Sequence, residues 1–416
     1  MPILPRVPMP NLQTSRHLAH VQYEIRGPLA RRADELERKG HDIIKLNIGN
    51  PAAFGFRTPE SMRLAVIENL SAAEGYCHQK GIFPAREAVA SDAQVRGIDG
   101  VTADDVFVGN GVSELILMTM EALLEPNDEV LVPSPDYPLW TAAVSLTGAK
   151  PVHYPCRAEN GFAPDPEELA RLVTPRCKAL VVINPNNPTG AVYSREVLSG
   201  LAAVARKHGL VCFADEIYDR ILYDGASHVP LATLCDGVPC ATFGGLSKVY
   251  RACGLRTGWV YLTGARERAA DYLRAVELLA SLRLCANVPG QWAVQTALGG
   301  HQSIFELTAP EGRLGRQRRA LLRGVERSKH LDVVAPEGAL YAFVRLKTPP
   351  PGLTDREFAM TLLEREHVLL VPGSSFNVTY TDHFRMTFLP EEETIGEVFK
   401  RIERLLDEWP RGKKAT

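Results

Sequence analysis

Between about residue 105 and residue 265 the chain alternates short apolar runs with amphipathic stretches. Glu129–Pro133, Lys178–Ile183, Leu210–Ala214 and Cys240–Phe243 are apolar without strict alternation, as strands covered on both faces are. Arg195–His208 is amphipathic at helical spacing, with Ser194 placed to cap its start and Gly209 just past its end. Strand, helix and strand in that order predict βαβ units, hence an α/β fold with a mostly parallel central sheet. After about 305 the character changes. Leu340–Leu346, Val368–Val371 and Phe384–Phe388 are strand-like, and 355–367 and 391–408 helical, which predicts a smaller α+β unit. The first 55 residues include a helix-like Leu29–Lys39 but no sheet of their own, so they are expected to pack with that unit. The expected division is 1–55 and 306–416 as the two parts of a small domain, with 56–305 as the large one.

Composition narrows the function classes. The chain has 416 residues, 45% of them apolar, with 47 Lys and Arg against 49 Asp and Glu. A net charge of -2 leaves no basic excess for releasing counterions from a phosphate backbone, so no nucleic-acid partner is expected. The basic run Gly312–Arg323 reads as a solvated helix face. Apolar runs such as Ala179–Ile183 span five residues where a bilayer needs about 20, so no membrane partner is expected either. The opening MPILPRVPMP holds four prolines and no apolar signal core, and residues 1 to about 22 read as a proline-broken arm. Eight cysteines include no Cys-x-x-Cys pair. Neither a disulfide framework nor a metal site is expected, and a reducing, cytoplasmic location fits.

The candidate chemistry lies where the apolar runs stop. Lys178–Ile183 leads into Asn184-Pro-Asn-Asn-Pro-Thr-Gly190, Leu210–Ala214 into Asp215-Glu-Ile-Tyr218, and Cys240–Phe243 into Gly244-Gly-Leu-Ser-Lys248. Ligands of open α/β sheets bind outside the carboxyl ends of the strands. An amide, a carboxylate with a phenol, and a lysine are therefore delivered to one crevice. A lysine forms a Schiff base with a carbonyl. A carboxylate can hold a protonated pyridine nitrogen and keep the ring an electron sink. A turn such as Gly109-Asn-Gly111-Val-Ser-Glu-Leu, opening a helix, can cradle a phosphate on free backbone N–H groups. Together these are the needs of pyridoxal 5'-phosphate.

Asp215 follows Asn187 by 28 residues, Lys248 follows Asp215 by 33, and Arg256 lies eight beyond Lys248. With this ordered signature the chain resembles the class I/II aminotransferases of pyridoxal-phosphate fold type I, over residues 20 to 408. The resemblance implies that Lys248 is the Schiff-base lysine and later the base that moves the Cα proton. It makes Asp215 the partner of the pyridine nitrogen, and Tyr218 and Asn187 donors to the ring hydroxyl. Gly111, Val112, Ser113 and Arg256 match the phosphate site. Position 245, often a phosphate-binding serine in relatives, is Gly245 here, which leaves Ser247 as its replacement. Tyr137 matches the aromatic that stacks on the ring, and Tyr76 the tyrosine that reaches the phosphate of a neighbouring subunit, which implies a homodimer. Arg385 matches the arginine that grips the substrate's α-carboxylate, and Gly49 brings backbone close to it.

Within the family, Tyr23–Pro28 and Leu46–Pro51 resemble alanine (glutamate–pyruvate) aminotransferases, and Pro133–Trp140 and Arg283–Pro289 the bacterial type. The implied reaction moves an amino group between L-alanine/pyruvate and L-glutamate/2-oxoglutarate by a ping-pong mechanism. Tyr23 is expected to close over the substrate, and Arg26 either meets the distal carboxylate of glutamate or anchors the arm on its own subunit. Two other readings remain open: an aminotransferase of other specificity or a carbon–sulfur lyase on the same fold, and a pyridoxal-phosphate-binding regulator. The last usually carries an added DNA-binding domain, for which the leading residues are too few.

Overall fold

The computed structural model describes residues 27–265 and 267–409, together with 12–15, 17, 18, 21 and 25. Its strands, in chain order, are β1 (Ile44–Lys45), β2 (Val106–Gly109), β3 (Glu129–Ser134), β4 (Lys150–Pro155), β5 (Cys177–Ile183), β6 (Val211–Asp215), β7 (Cys240–Gly245), β8 (Gly258–Thr263), β9 (Leu331–Val333), β10 (Tyr341–Leu346), β11 (Val368–Leu369), β12 (Val371–Pro372) and β13 (His383–Thr387). Seven of them form the central sheet in the order β2-β8-β7-β6-β5-β3-β4. Its neighbours are parallel except where β8 pairs with β2 and β7. The mostly parallel sheet read from the apolar runs is what the chain forms.

The apolar runs lack alternation because both faces of the sheet are covered. Leu131, Leu180, Val182 and Cys212 enter one core, while Val130, Val132, Val181, Phe213 and Phe243 enter another. Successive side chains point to opposite faces, so each strand feeds both cores. The helix over Arg195–His208 forms as patterned. The Ser194 side chain accepts from the Val197 N–H at 3.3 Å, and Gly209 closes the helix.

The smaller sheet, β12-β13-β10-β9, is antiparallel. One expectation needs correction here. Val368–Val371 is not one strand: β11 pairs parallel with β1, whereas β12 pairs antiparallel with Phe384 and Arg385 of β13. An uninterrupted apolar run records burial, and it does not record which neighbour each peptide bonds. The described part of the first 55 residues forms no sheet of its own; its one strand, β1, is in a two-stranded sheet completed by the C-terminal part of the chain. No described helix is long and apolar enough to cross a membrane, and no described group of His, Cys, Asp and Glu side chains is placed to hold a metal.

Candidate active site

β5, β6 and β7 are adjacent and parallel, so the polar segments that follow them emerge side by side. Asp215 ends β6 and is 3% exposed. Burial pushes its carboxyl up to about 6, against the Trp140 hydrogen bond that favours the charged form. That bond runs from Trp140 Nε1 to Asp215 Oδ2 at 2.9 Å. No described residue makes a salt bridge to Asp215. A buried carboxylate served only by neutral donors is matched to a cationic ligand group.

Lys248, half-buried in the turn after β7, donates from Nζ to the Gly49 carbonyl oxygen at 2.7 Å. This contact ties the end of the large sheet to the segment that follows β1. Tyr218, buried in the turn after Asp215, donates to the Tyr341 hydroxyl at 3.3 Å. Its phenol is raised well above the ordinary value, first by burial and then by Tyr341.

Arg385 of β13 is 1% exposed. Its Nη1 donates to Asn187 Oδ1 at 2.9 Å and its Nη2 to the Asn47 carbonyl oxygen, while Nε has no hydrogen-bond partner among the described residues. The Tyr341 ring lies 4.2 Å from the guanidinium carbon and the Phe376 ring 4.8 Å. Among the described residues no carboxylate pairs with this buried cation. Its surroundings are aromatic faces and neutral oxygens, a setting that selects an anionic ligand.

The phosphate elements meet at the start of the helix Val112–Leu123. Gly111 precedes it with φ +82 and no side chain caps its first N–H groups, including those of Val112 and Ser113. A Cβ at Gly111 would fall 2.4 Å from Arg256 Nη2, so the guanidinium packs directly against this turn. Arg256 adopts a left-handed backbone, φ +49, and donates to the carbonyl oxygens of Cys253 at 3.1 Å and Asn110 at 3.3 Å. Free N–H groups at a helix start beside an arginine suit a phosphate. Donor set and buried acid together fit pyridoxal 5'-phosphate.

Gly245 has a packing reason. It opposes Gly258 of β8, and a Cβ there would lie 3.1 Å from the Gly258 Cα and the Thr257 carbonyl oxygen. A serine at this position would crowd β8, whose backbone would have to give by a few tenths of an ångström. Ser247 is half-buried in the following turn. Tyr137 is partly buried between the two cores of the large sheet. Tyr76 stands apart, 82% exposed on the surface of its own chain. Tyr23 and Arg26 lie outside the described residues.

Trp140, Tyr341, Asn47 and Phe376 were not assigned site roles from the sequence. Trp140 had a local signal: three residues after Tyr137, in the first turn of the helix Leu139–Leu146, it returns to the same side. Tyr341 had none, since it reads as one more apolar position of a strand.

The profile described as Aminotransferase class I and II matches residues 41–402. The chain is 47% identical to the glutamate-pyruvate aminotransferase AlaA of Escherichia coli (strain K12), over 96% of this chain and 98% of that protein. It is 48% identical to an alanine aminotransferase of Mycobacterium tuberculosis, over 94% of this chain and 92% of the relative. A crystal structure of an aminotransferase from Escherichia coli superposes with a TM-score of 0.95 at 47% identity, covering 96% of this chain and 99% of that one. A match of this extent, on a fold whose strand ends carry these groups, makes the chain a member of the class I and II aminotransferases, enzymes that work with pyridoxal 5'-phosphate.

Proposed function

We propose that this aminotransferase converts L-alanine and 2-oxoglutarate to pyruvate and L-glutamate, in two half-reactions at the site built around Lys248. The observation that carries the reading is Arg385, a buried guanidinium with neutral partners only, suited to the α-carboxylate that all four compounds share. The relatives named above support the choice of alanine and glutamate.

When bound, pyridoxal phosphate supplies an aldehyde for Schiff-base exchange with amines and a ring that withdraws electrons from the substrate's Cα. The chain's own groups do the rest. Lys248 Nζ attaches the cofactor and, once freed, moves the proton at Cα. Asp215 holds the pyridine nitrogen protonated. Asn187 commits Oδ1 to Arg385, which leaves Nδ2 as a donor to the ring hydroxyl beside Tyr218. The Gly111 turn, whose own N–H bonds the Gly109 carbonyl oxygen at 2.7 Å, presents the N–H groups of Val112 and Ser113, which with Arg256 and Ser247 hold the phosphate, and Tyr137 covers the ring. Gly49 admits the carboxylate close to backbone, and Tyr23 closes over it. Residues 1–55 and 306–416 form the small domain.

The test is a screen of amino donors against pyruvate and 2-oxoglutarate. Alanine with 2-oxoglutarate and glutamate with pyruvate are expected to give the highest kcat/KM, and Lys248→Ala to abolish both. A different best donor sinks the alanine assignment; a fully active Lys248→Ala sinks the site.

We further propose a cytoplasmic C2 homodimer in which Tyr76 completes the partner's phosphate site. Its 82% exposure, a few residues after exposed Ile67 and Leu70, supports that reading, as do eight free cysteines the cytoplasmic one. Mixing inactive Lys248→Ala with impaired Tyr76→Phe subunits is expected to recover activity, since one pocket per heterodimer escapes both lesions. No recovery after demonstrated subunit exchange counts against sharing.

A further inference from the structure

Tyr341 begins β10 and is 3% exposed. In the antiparallel register it faces Thr387, and Phe343 faces Arg385, so Tyr341 is a diagonal neighbour of Arg385 on one sheet face. That register puts its ring 4.2 Å from the guanidinium carbon. Its hydroxyl reaches the other way, 3.3 Å from the Tyr218 hydroxyl. The same oxygen abuts Gly49, where a Cβ would fall 2.1 Å from it. Gly49 in turn accepts from Lys248. One side chain therefore touches the carboxylate arginine, the ring-hydroxyl tyrosine and the peptide that holds the lysine.

We infer that Tyr341 is a positioning residue with two separable parts: its ring fixes the plane in which Arg385 receives a carboxylate, and its hydroxyl sets the direction of the Tyr218 proton. The inference rests on the roles proposed above for Arg385 and Tyr218. Each phenol carries one hydrogen and can also accept. As placed, Tyr218 donates to Tyr341, which turns its proton away from a bound cofactor. The pair reverses without heavy-atom movement: Tyr341 donates to the Tyr218 oxygen, and Tyr218 donates to the ring hydroxyl. Against its burial, the charges of Lys248 and Arg385 act on the Tyr341 phenol, lower it and favour it as a donor.

Two variants of the holoenzyme separate the parts. Tyr341→Phe keeps the ring and loses the hydroxyl; Tyr341→Leu loses both. In the first, binding of unreactive propionate by calorimetry is expected to stay within about twofold, because the ring face is intact. The pH midpoint of the visible cofactor band is expected to rise by about half to one unit, because a weaker Tyr218 donor leaves the chromophore holding its proton to higher pH. In the second, propionate is expected to bind about tenfold more weakly. An unmoved midpoint in Tyr341→Phe, with the wild-type band titrating normally, overturns the hydroxyl's part. Unchanged propionate binding in Tyr341→Leu, or equal losses in both variants, overturns the ring's part. A wild-type band that does not titrate overturns the hydroxyl's part, and a wild-type protein with no visible band overturns the cofactor site and this inference with it.

Discussion

Asp215 and Glu216 are consecutive carboxylates at the end of β6, each 3% exposed, yet their surroundings are opposite. Glu216 accepts from Arg96 Nη2 at 2.6 Å and from the Leu231 N–H at 2.9 Å, with His228 Nε2 at 3.9 Å. Arg96 also reaches Asp219, and behind it Arg220 pairs with Asp92. Burial opposes the charge on Arg96, but Asp219 and Glu216 outweigh it and raise its pKa. Asp215 has only an indole N–H and a peptide N–H at 3.4 Å. Arginines divide the same way: Arg96 is neutralised by carboxylates, and Arg385 by none. The paired groups hold the turn in place, and the unpaired ones are left for ligand charges. What separates Asp215 from Glu216 is therefore not burial but the presence of a paired arginine.

Matched substitutions at 215 and 216 should break the comparison if it is wrong. Asp215→Ala is expected to slow turnover by about a hundred- to a thousandfold, as removal of a preorganised charge partner does. Glu216→Gln is expected to spare turnover per folded molecule but to lower stability by about 1–3 kcal/mol, because it removes one of the two carboxylates that pair with the partly buried Arg96. Denaturant unfolding and steady-state kinetics on the pair decide it, and equal kinetic losses would erase the distinction. Proton linkage sharpens it. The native pKa of Asp215 lies above the unfolded value, so the cofactor-free native state binds more protons between about pH 4 and about pH 6. The stability associated with that proton is full below this window and is lost as pH rises through it; Asp215→Asn is expected to flatten that slope.

Trp140→Phe is the smaller test. It removes the donor that favours the Asp215 anion, so the acid limb of the pH–rate profile is expected to move upward, with a loss of about tenfold below it. An unmoved acid limb would mean that the indole only fills space.

Much of the site was legible because its residues follow their strands directly. Asn187, Asp215, Tyr218 and Lys248 are each within five residues of the end of β5, β6 or β7, so naming the strands also locates these side chains. The arginines and glycines were found by motif. Missing were residues whose part depends on what faces them. Tyr341 lies 123 residues from Tyr218, and Trp140 75 from Asp215. Nor does the sequence distinguish the neighbours Asp215 and Glu216 by burial or by type of side chain; the ordered signature singled out the first, and nothing in it showed why the second is spoken for.

The sequence by itself determined the local chemistry: apolar runs that must be covered on both faces, a helix stopped by Gly209, polar segments at the strand ends, and a glycine turn opening a helix. These follow from short-range rules of periodicity, capping and backbone conformation, which act within a few residues. Tertiary structure decided the pairings. It split Val368–Val371 between two sheets, left little space for a side chain at Gly245 through the approach of β8, gave Glu216 its arginine while leaving Asp215 without one, and set Tyr341 between Arg385 and Tyr218. Hydrogen-bond partners and counter-charges are properties of a shared space, and remote segments come to share it only when the chain is folded.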